Sequence, residues 1–291
     1  MSIINTKSLF KEMNILKNIL TTNQKKQLNK KGYIVFKSIP FMKKNVKKMR
    51  DITKKLISKE GKKGGWEGKE KYYAKGKLFE KGTNRLGNLI NKSKIFGELI
   101  LIPEILSSAY TVINSNLKVA GLNFRNPLKN SGKQRLHMDW KPRKKKNEKF
   151  AGIVCFIFLD DANKKNGALR VVPGSHKKLG WPEQYIDVMK KHKNEVLLSV
   201  KAGTVVVANL NLWHGGSNNI SGKDRKMIML NIKNRAFPQL INYKKYLNSG
   251  VKKKLNKYQK YLLAIRSIDH KQKEDSVGVG KYCKDDFNIT K

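Results

Sequence analysis

The chain has 291 residues, with 64 Lys and Arg against 21 Asp and Glu, a formal net charge of +43, and 39% hydrophobic residues. That length and apolar content exclude wholesale disorder and leave room for one large domain or two small ones. Cys155 and Cys283 alone exclude a disulfide framework and fit a reducing, cytoplasmic setting.

Residues 1–31 read as helical, ending near Lys30-Lys31-Gly32. The stretch lacks the continuous apolar core and small-residue cleavage site of a secretory signal. It is amphipathic and poor in acid, so an organelle-targeting reading stays open. Residues 33–36 form a short strand closed by Pro40, and 41–60 have helical spacing through Met42, Val46, Met49, Ile52 and Leu56. The Gly- and Lys-rich stretch 61–84 reads as a mobile loop. Residues 86–113 carry helix signals, with Pro103 opening a helix.

From residue 117 the texture changes to short β-like runs separated by turns: 118–124, 136–140, 152–159, 168–172, 195–200, 204–210 and 227–232. Regularly spaced short strands predict a jelly roll or barrel. Residues 182–192 read as one inserted helix, and 251–265 as a helix in the tail, ahead of a loose polar end. No run reaches the roughly 18 apolar residues of a membrane helix. The prediction is a single α+β domain, 1–291: a helical part at about 1–115, a jelly-roll core at about 116–240 and a helical tail at about 241–291.

The charge invites a nucleic-acid reading. However, lysine runs occur along most of the chain, amid abundant Asn and Ile, where a binding patch would concentrate them. The surplus therefore reads as compositional bias that also attracts anions.

Chemistry concentrates in two strings. On a strand, His137 and Asp139 project to the same side. His214, after the apolar run 204–208, completes a set of two imidazoles and one carboxylate if its strand returns beside them. That set is the facial triad of non-haem Fe(II) oxygenases. Singly, each motif has a bland reading, since H-x-D is common and a His before Gly-Gly is usually structural. Arg225 follows across the turn-rich stretch 218–224, where a hairpin would bring it back beside the metal strand. Its guanidinium suits bidentate capture of a carboxylate; in so basic a chain the plain alternative is edge decoration. His176, Asp160 and Asp161 read as structural, Trp140 and Trp213 as packing, and Cys155 as a small core residue.

LHMDW (136–140), NGALRVVPGSHK (166–177) and LWHGGSNNISGKDRK (212–226) are joined by KGYIVFKSI (31–39) and IPEIL (102–106). With these strings in this order, the chain resembles the phytanoyl-CoA dioxygenase family of Fe(II)/2-oxoglutarate-dependent oxygenases. The resemblance implies a double-stranded β-helix with Fe(II) on His137, Asp139 and His214. It implies 2-oxoglutarate held at its distal carboxylate by Arg225, with Ser217, Phe156, Asn123 and Arg85 as further cosubstrate contacts, and O2 as the oxidant. The family often has a hydroxyl residue two positions after the distal His, where this chain has Gly216, with Ser217 one further on. Related halogenases replace the carboxylate with a small residue, so Asp139 implies hydroxylation. The expected partner is a small molecule, with an anion favoured by the positive field. Lys141, Arg143 and Lys144 are candidate anion contacts, with a solvated loop the favoured plain reading of that run, and loops 61–84 and 141–150 are candidate lids. Two other readings are a nucleic-acid-binding or -modifying protein on the same barrel and an inactive cupin-like binder.

Overall fold

The computed structural model describes residues 3, 5–61 and 82–265. Two antiparallel sheets face each other. The larger has the order β1-β7-β4-β9-β3-β2 and the smaller β6-β5-β8. The strands are β1 Tyr33–Phe36, β2 Thr83–Leu86, β3 Leu117–Pro127, β4 Gly152–Phe158, β5 Leu169–Val171, β6 Val196–Leu198, β7 Val205–Asn209, β8 His214–Gly216 and β9 Met227–Asn234.

The central strands of the large sheet read as unbroken apolar runs because both of their faces are covered. Alternate residues serve different cores. Ile153, Cys155, Ile157, Val205, Val207, Ile228, Leu230 and Ile232 pack toward the helices. Val154, Phe156, Phe158, Val206, Ala208 and Met227 point the other way, into a second core shared with Leu169, Val171 and Leu198 of the small sheet. This parity decides what can reach the space between the sheets. Cys155 lies on the helix side, fully buried, and burial pushes its thiol pKa up.

The helices are α1 Thr6–Glu12, α2 Thr22–Lys31, α3 Pro40–Glu60, α4 Lys94–Leu99, α5 Pro103–Ile113, α6 Tyr243–Tyr246, α7 Ser249–Lys254 and α8 Lys257–Leu262. Pro40 and Pro103 occupy the first turns of α3 and α5, where the missing N–H costs nothing. Thr21 and Gln24 form a capping box on α2, and Gly32 ends that helix at φ +83°.

Several expectations are corrected. The stretch 1–31 is two helices, not one, because Asn14 turns the chain at φ 52°. The helix expected at 182–192 shrinks to a 3₁₀ turn, Pro182–Gln184. Beyond it, the Asp187 side chain accepts from the Met189 N–H, favouring a turn over continued helix. The tail helix is two short helices, because Asn256 starts a new one by capping Gln259. Of the expected loop 61–84, Thr83 and Asn84 lie in β2, and 62–81 fall outside the described residues. Cys283 and the polar end lie outside them too. Among the described residues, no helix is long and apolar enough to cross a membrane.

Candidate metal centre

Residues 136–140 are not a ladder strand. Their one bridge joins His137 to His214, through reciprocal backbone hydrogen bonds of 2.9 Å. The neighbouring amides go elsewhere: Leu136 N–H donates to Val188 O at 3.0 Å and Asp139 N–H to Leu210 O at 2.8 Å. The segment is shared among three partners, which breaks regular pairing yet pins each residue. Asn211 adds a hydrogen bond of 2.9 Å to Lys141 O, holding the exit of the segment.

His137, Asp139 and His214 offer three ligand atoms within 4.8 Å of one another. Asp139 places one carboxylate oxygen 3.8 Å from His137 Nε2 and the other 3.8 Å from His214 Nε2. That is too far for hydrogen bonds and within the span of two ligand bonds of about 2.1 Å to a shared ion. Each imidazole donates its other nitrogen to a carbonyl, His137 Nδ1 to Arg135 O at 3.0 Å and His214 Nδ1 to Leu212 O at 2.9 Å. A carbonyl only accepts, so this fixes the tautomer and turns both Nε2 lone pairs inward. Burial, reinforced by the charge of His214, pushes the His137 pKa down to about 4, so its ring stays in the neutral, ligating form. The donor set fits a divalent transition metal.

The triad stands in a cavity of about 770 Å³ between the sheets. Arg225, Arg85, Asn123 and Phe156 line it with the triad; Ser217 does not. Ser217 instead donates its N–H to Ala168 O at 3.0 Å, just past β8. Phe156 meets His214 edge-on at 5.2 Å. Arg225 is buried just before β9, its N–H held by Asn126 Oδ1 at 2.9 Å and its Nη1 3.3 Å from Met227 Sδ. A dicarboxylate suits that guanidinium in a site withdrawn from water. The expected hairpin is absent: β8 and β9 belong to different sheets. Residues 217–226 instead cross the gap on Asn219, which donates to Pro127 O and Lys223 O, both at 2.9 Å.

Other singled-out residues are structural. Asp160 receives Arg50 Nε at 2.8 Å, and Asp161 receives Lys201 Nζ at 2.8 Å. His176 is buried against Gly32, with Nε2 3.1 Å from Asn29 O. Arg143 lies over the Phe150 ring and binds the carbonyls of Lys146 and Glu148, so it organises its own loop. Among the cavity residues that motif reading misses are Arg125, Gln134, Asn231 and Lys233. The signal for the last two was the two-residue period from Arg225 through Met227 and Met229 to Asn231 and Lys233.

A family model described as phytanoyl-CoA dioxygenase (PhyH) matches residues 28–227, well over half the chain. The chain belongs to the phytanoyl-CoA dioxygenase family. An uncharacterized protein of Mycobacterium tuberculosis is 32% identical over 102 residues, 35% of this chain and 36% of that protein. The chain thus matches about a third of that relative's length. EctD from S. alaskensis, solved with bound Fe, superposes with a TM-score of 0.60 at 18% identity, covering 74% of this chain and 77% of that one. HygX from Streptomyces hygroscopicus, solved with nickel, 2-oxoglutarate and hygromycin B, gives 0.55 at 16%, covering 77% and 92%. At such identities the likeness is one of fold: the jelly roll is that of the double-stranded β-helix oxygenases.

Proposed function

We propose that the chain is an Fe(II)/2-oxoglutarate-dependent dioxygenase that hydroxylates a C–H bond of a small molecule. The observation that carries this is the Asp139 carboxylate set 3.8 Å from each of two Nε2 atoms at the wall of a cavity that Arg225 also lines. His137, Asp139 and His214 would hold the metal, and Arg225 the far carboxylate of 2-oxoglutarate, with Arg85, Asn123 and Phe156 beside it. When bound, iron and cosubstrate together reduce O2, placing one oxygen atom in the substrate C–H bond and leaving succinate and CO2.

The chain's own contribution is orientation and exclusion of water. The carbonyls of Arg135 and Leu212 accept from Nδ1 of the two imidazoles and so orient both Nε2 atoms toward the metal position. Asn126 aims Arg225 by fixing its backbone. Val154, Phe156 and Met227 give that part of the cavity an apolar wall. A walled cavity of this size suits a small molecule better than a nucleic-acid strand.

The test is succinate formation from 2-oxoglutarate in protein loaded anaerobically with Fe(II), then exposed to O2 with a panel of small carboxylates, phosphates, acyl-CoA esters and betaine-like solutes. The expected result is succinate that depends on iron and rises with at least one panel member. Absence of iron binding, together with no succinate across the panel, contradicts the proposal.

A further inference from the structure

Exposed apolar side chains are concentrated in one part of the chain. Of the seven large ones among the described residues, Trp181, Tyr185, Met189 and Val196 fall within the sixteen residues that run from 181 into β6. Single exposed apolar residues need no explanation, but a concentration of them does. Trp181, Pro182, Glu183 and Gln184 line the cavity that also holds His137, Asp139 and His214. Trp181 is 45% exposed, so it stands where that cavity opens to solvent. Among the described residues its indole makes no ring, cation or ion-pair contact. Tyr185 differs: its ring lies 5.6 Å from that of Trp213 and 5.1 Å from Lys178 Nζ.

The rim that carries Trp181 is pinned. The Trp181 N–H donates to Gln184 Oε1 at 2.7 Å, and the Gln184 N–H returns to Trp181 O at 3.0 Å. Pro182, between them, is buried. The same connection is fastened to the metal residues from both sides. Arg135 Nη1 pairs with Glu183 Oε1 at 2.8 Å, and the Leu136 N–H donates to Val188 O at 3.0 Å. Both contacts lie within two residues of His137, whose Nδ1 is held by Arg135 O. Trp213, against which Tyr185 packs, immediately precedes His214. A group lying on Trp181 is therefore held at a fixed place relative to the metal position, with little left to order on binding.

An open indole face beside a cavity takes an aromatic ring, offset-stacked or edge-on. The other group that an indole takes is a cation, which the chain's charge of +43 disfavours. We infer that Trp181 is a specificity-determining residue at the cavity mouth, and that the primary substrate carries an aromatic ring that packs on its indole. The inference rests on the proposed oxygenase reading and deepens it, because the rest of that substrate then extends toward His137, Asp139 and His214.

The probes are 3-phenylpropan-1-ol and 3-(2-naphthyl)propan-1-ol against 3-cyclohexylpropan-1-ol and hexan-1-ol. Each is titrated into the Fe(II)- and 2-oxoglutarate-loaded full chain without O2 and followed by calorimetry. Wild type is expected to bind at least one aromatic alcohol more tightly than either saturated one. Trp181→Ala should weaken aromatic binding by about threefold to tenfold, the worth of one ring–ring contact, while Trp181→Phe keeps most of it. Binding of 2-oxoglutarate should not change in either variant. No binding of the aromatic alcohols by wild type, or equal binding of aromatic and saturated ones, overturns the inference without needing a variant that folds. Undiminished aromatic binding by a folded Trp181→Ala chain overturns it too. Failure of wild type to bind iron or 2-oxoglutarate is a separate result that removes the underlying oxygenase reading.

Discussion

His137 and His214 clasp each other through two backbone hydrogen bonds of 2.9 Å while their rings, 4.4 Å apart and tilted by 49°, converge on Asp139. One residue lies on an irregular segment and the other on a three-residue strand, and this reciprocal bridge fuses them. The ligand geometry is therefore set by backbone pairing as much as by side-chain packing. Asp139→Asn keeps the shape and removes the charge. It should lower Fe(II) affinity sharply with little change in melting temperature. Calorimetric iron titration beside a thermal melt checks both, and unchanged affinity would remove Asp139 from the ligand set.

Arg225 should act on the cosubstrate. Arg225→Ala is expected to raise the KM for 2-oxoglutarate by about tenfold to a hundredfold, the worth of a charge-assisted contact. Arg225→Lys should recover part of it, because Lys supplies the charge without the fork. Steady-state succinate kinetics over 2-oxoglutarate concentration decide this, and an unchanged KM removes Arg225 from that role.

The glycine after the Gly215 of β8 is a packing requirement. A Cβ on Gly216 would fall 2.6 Å from Gly132 O and 3.0 Å from Arg125 Nη1. Gly216→Ala must push away the segment leading to His137. We expect a loss of about 1–3 kcal/mol in stability, the usual cost of overpacking, together with weaker iron binding. Urea denaturation and iron titration read the two effects, and a variant matching wild type in both would show that the strand has room.

His176 should give the fold an acid sensitivity. Burial pushes its pKa down to about 4, from an ordinary value of 6.5. Between those values the unfolded chain binds a proton that the folded chain refuses. The stability contribution is thus complete above about pH 6.5 and declines as pH falls toward 4, by up to about 3 kcal/mol. Urea midpoints at pH 7 and pH 5 should show a smaller drop in His176→Gln than in wild type. Equal drops would mean that His176 is not the group responsible.

The metal residues were legible because their chemistry is rare as a set, and because the two-residue parity of an extended segment survives even where regular pairing does not. His137 and Asp139 converge although 136–140 is pinned by three partners rather than one ladder. Arg225 was legible from its distance past His214, yet the route was not: a hairpin and an inter-sheet crossing look alike in a turn-rich stretch, and Asn219 decides between them through contacts remote in sequence. Ser217 does not line the cavity; it sits just past β8 with its N–H on Ala168 O. Lys233 was hidden among so many lysines; only strand parity and burial separate it from the solvated majority. The helix boundaries at Asn14 and Asn256 were missed because each rests on one residue's local turn or cap overriding an otherwise helical pattern.

His137, Asp139 and His214 are expected to hold one iron between them. Anaerobic calorimetric titration of Fe(II) into wild type and His214→Ala tests it most directly. The expected result is a single ion bound per chain in wild type and loss of that binding in a variant that still folds. No binding by wild type, or equal binding by His214→Ala, would contradict it.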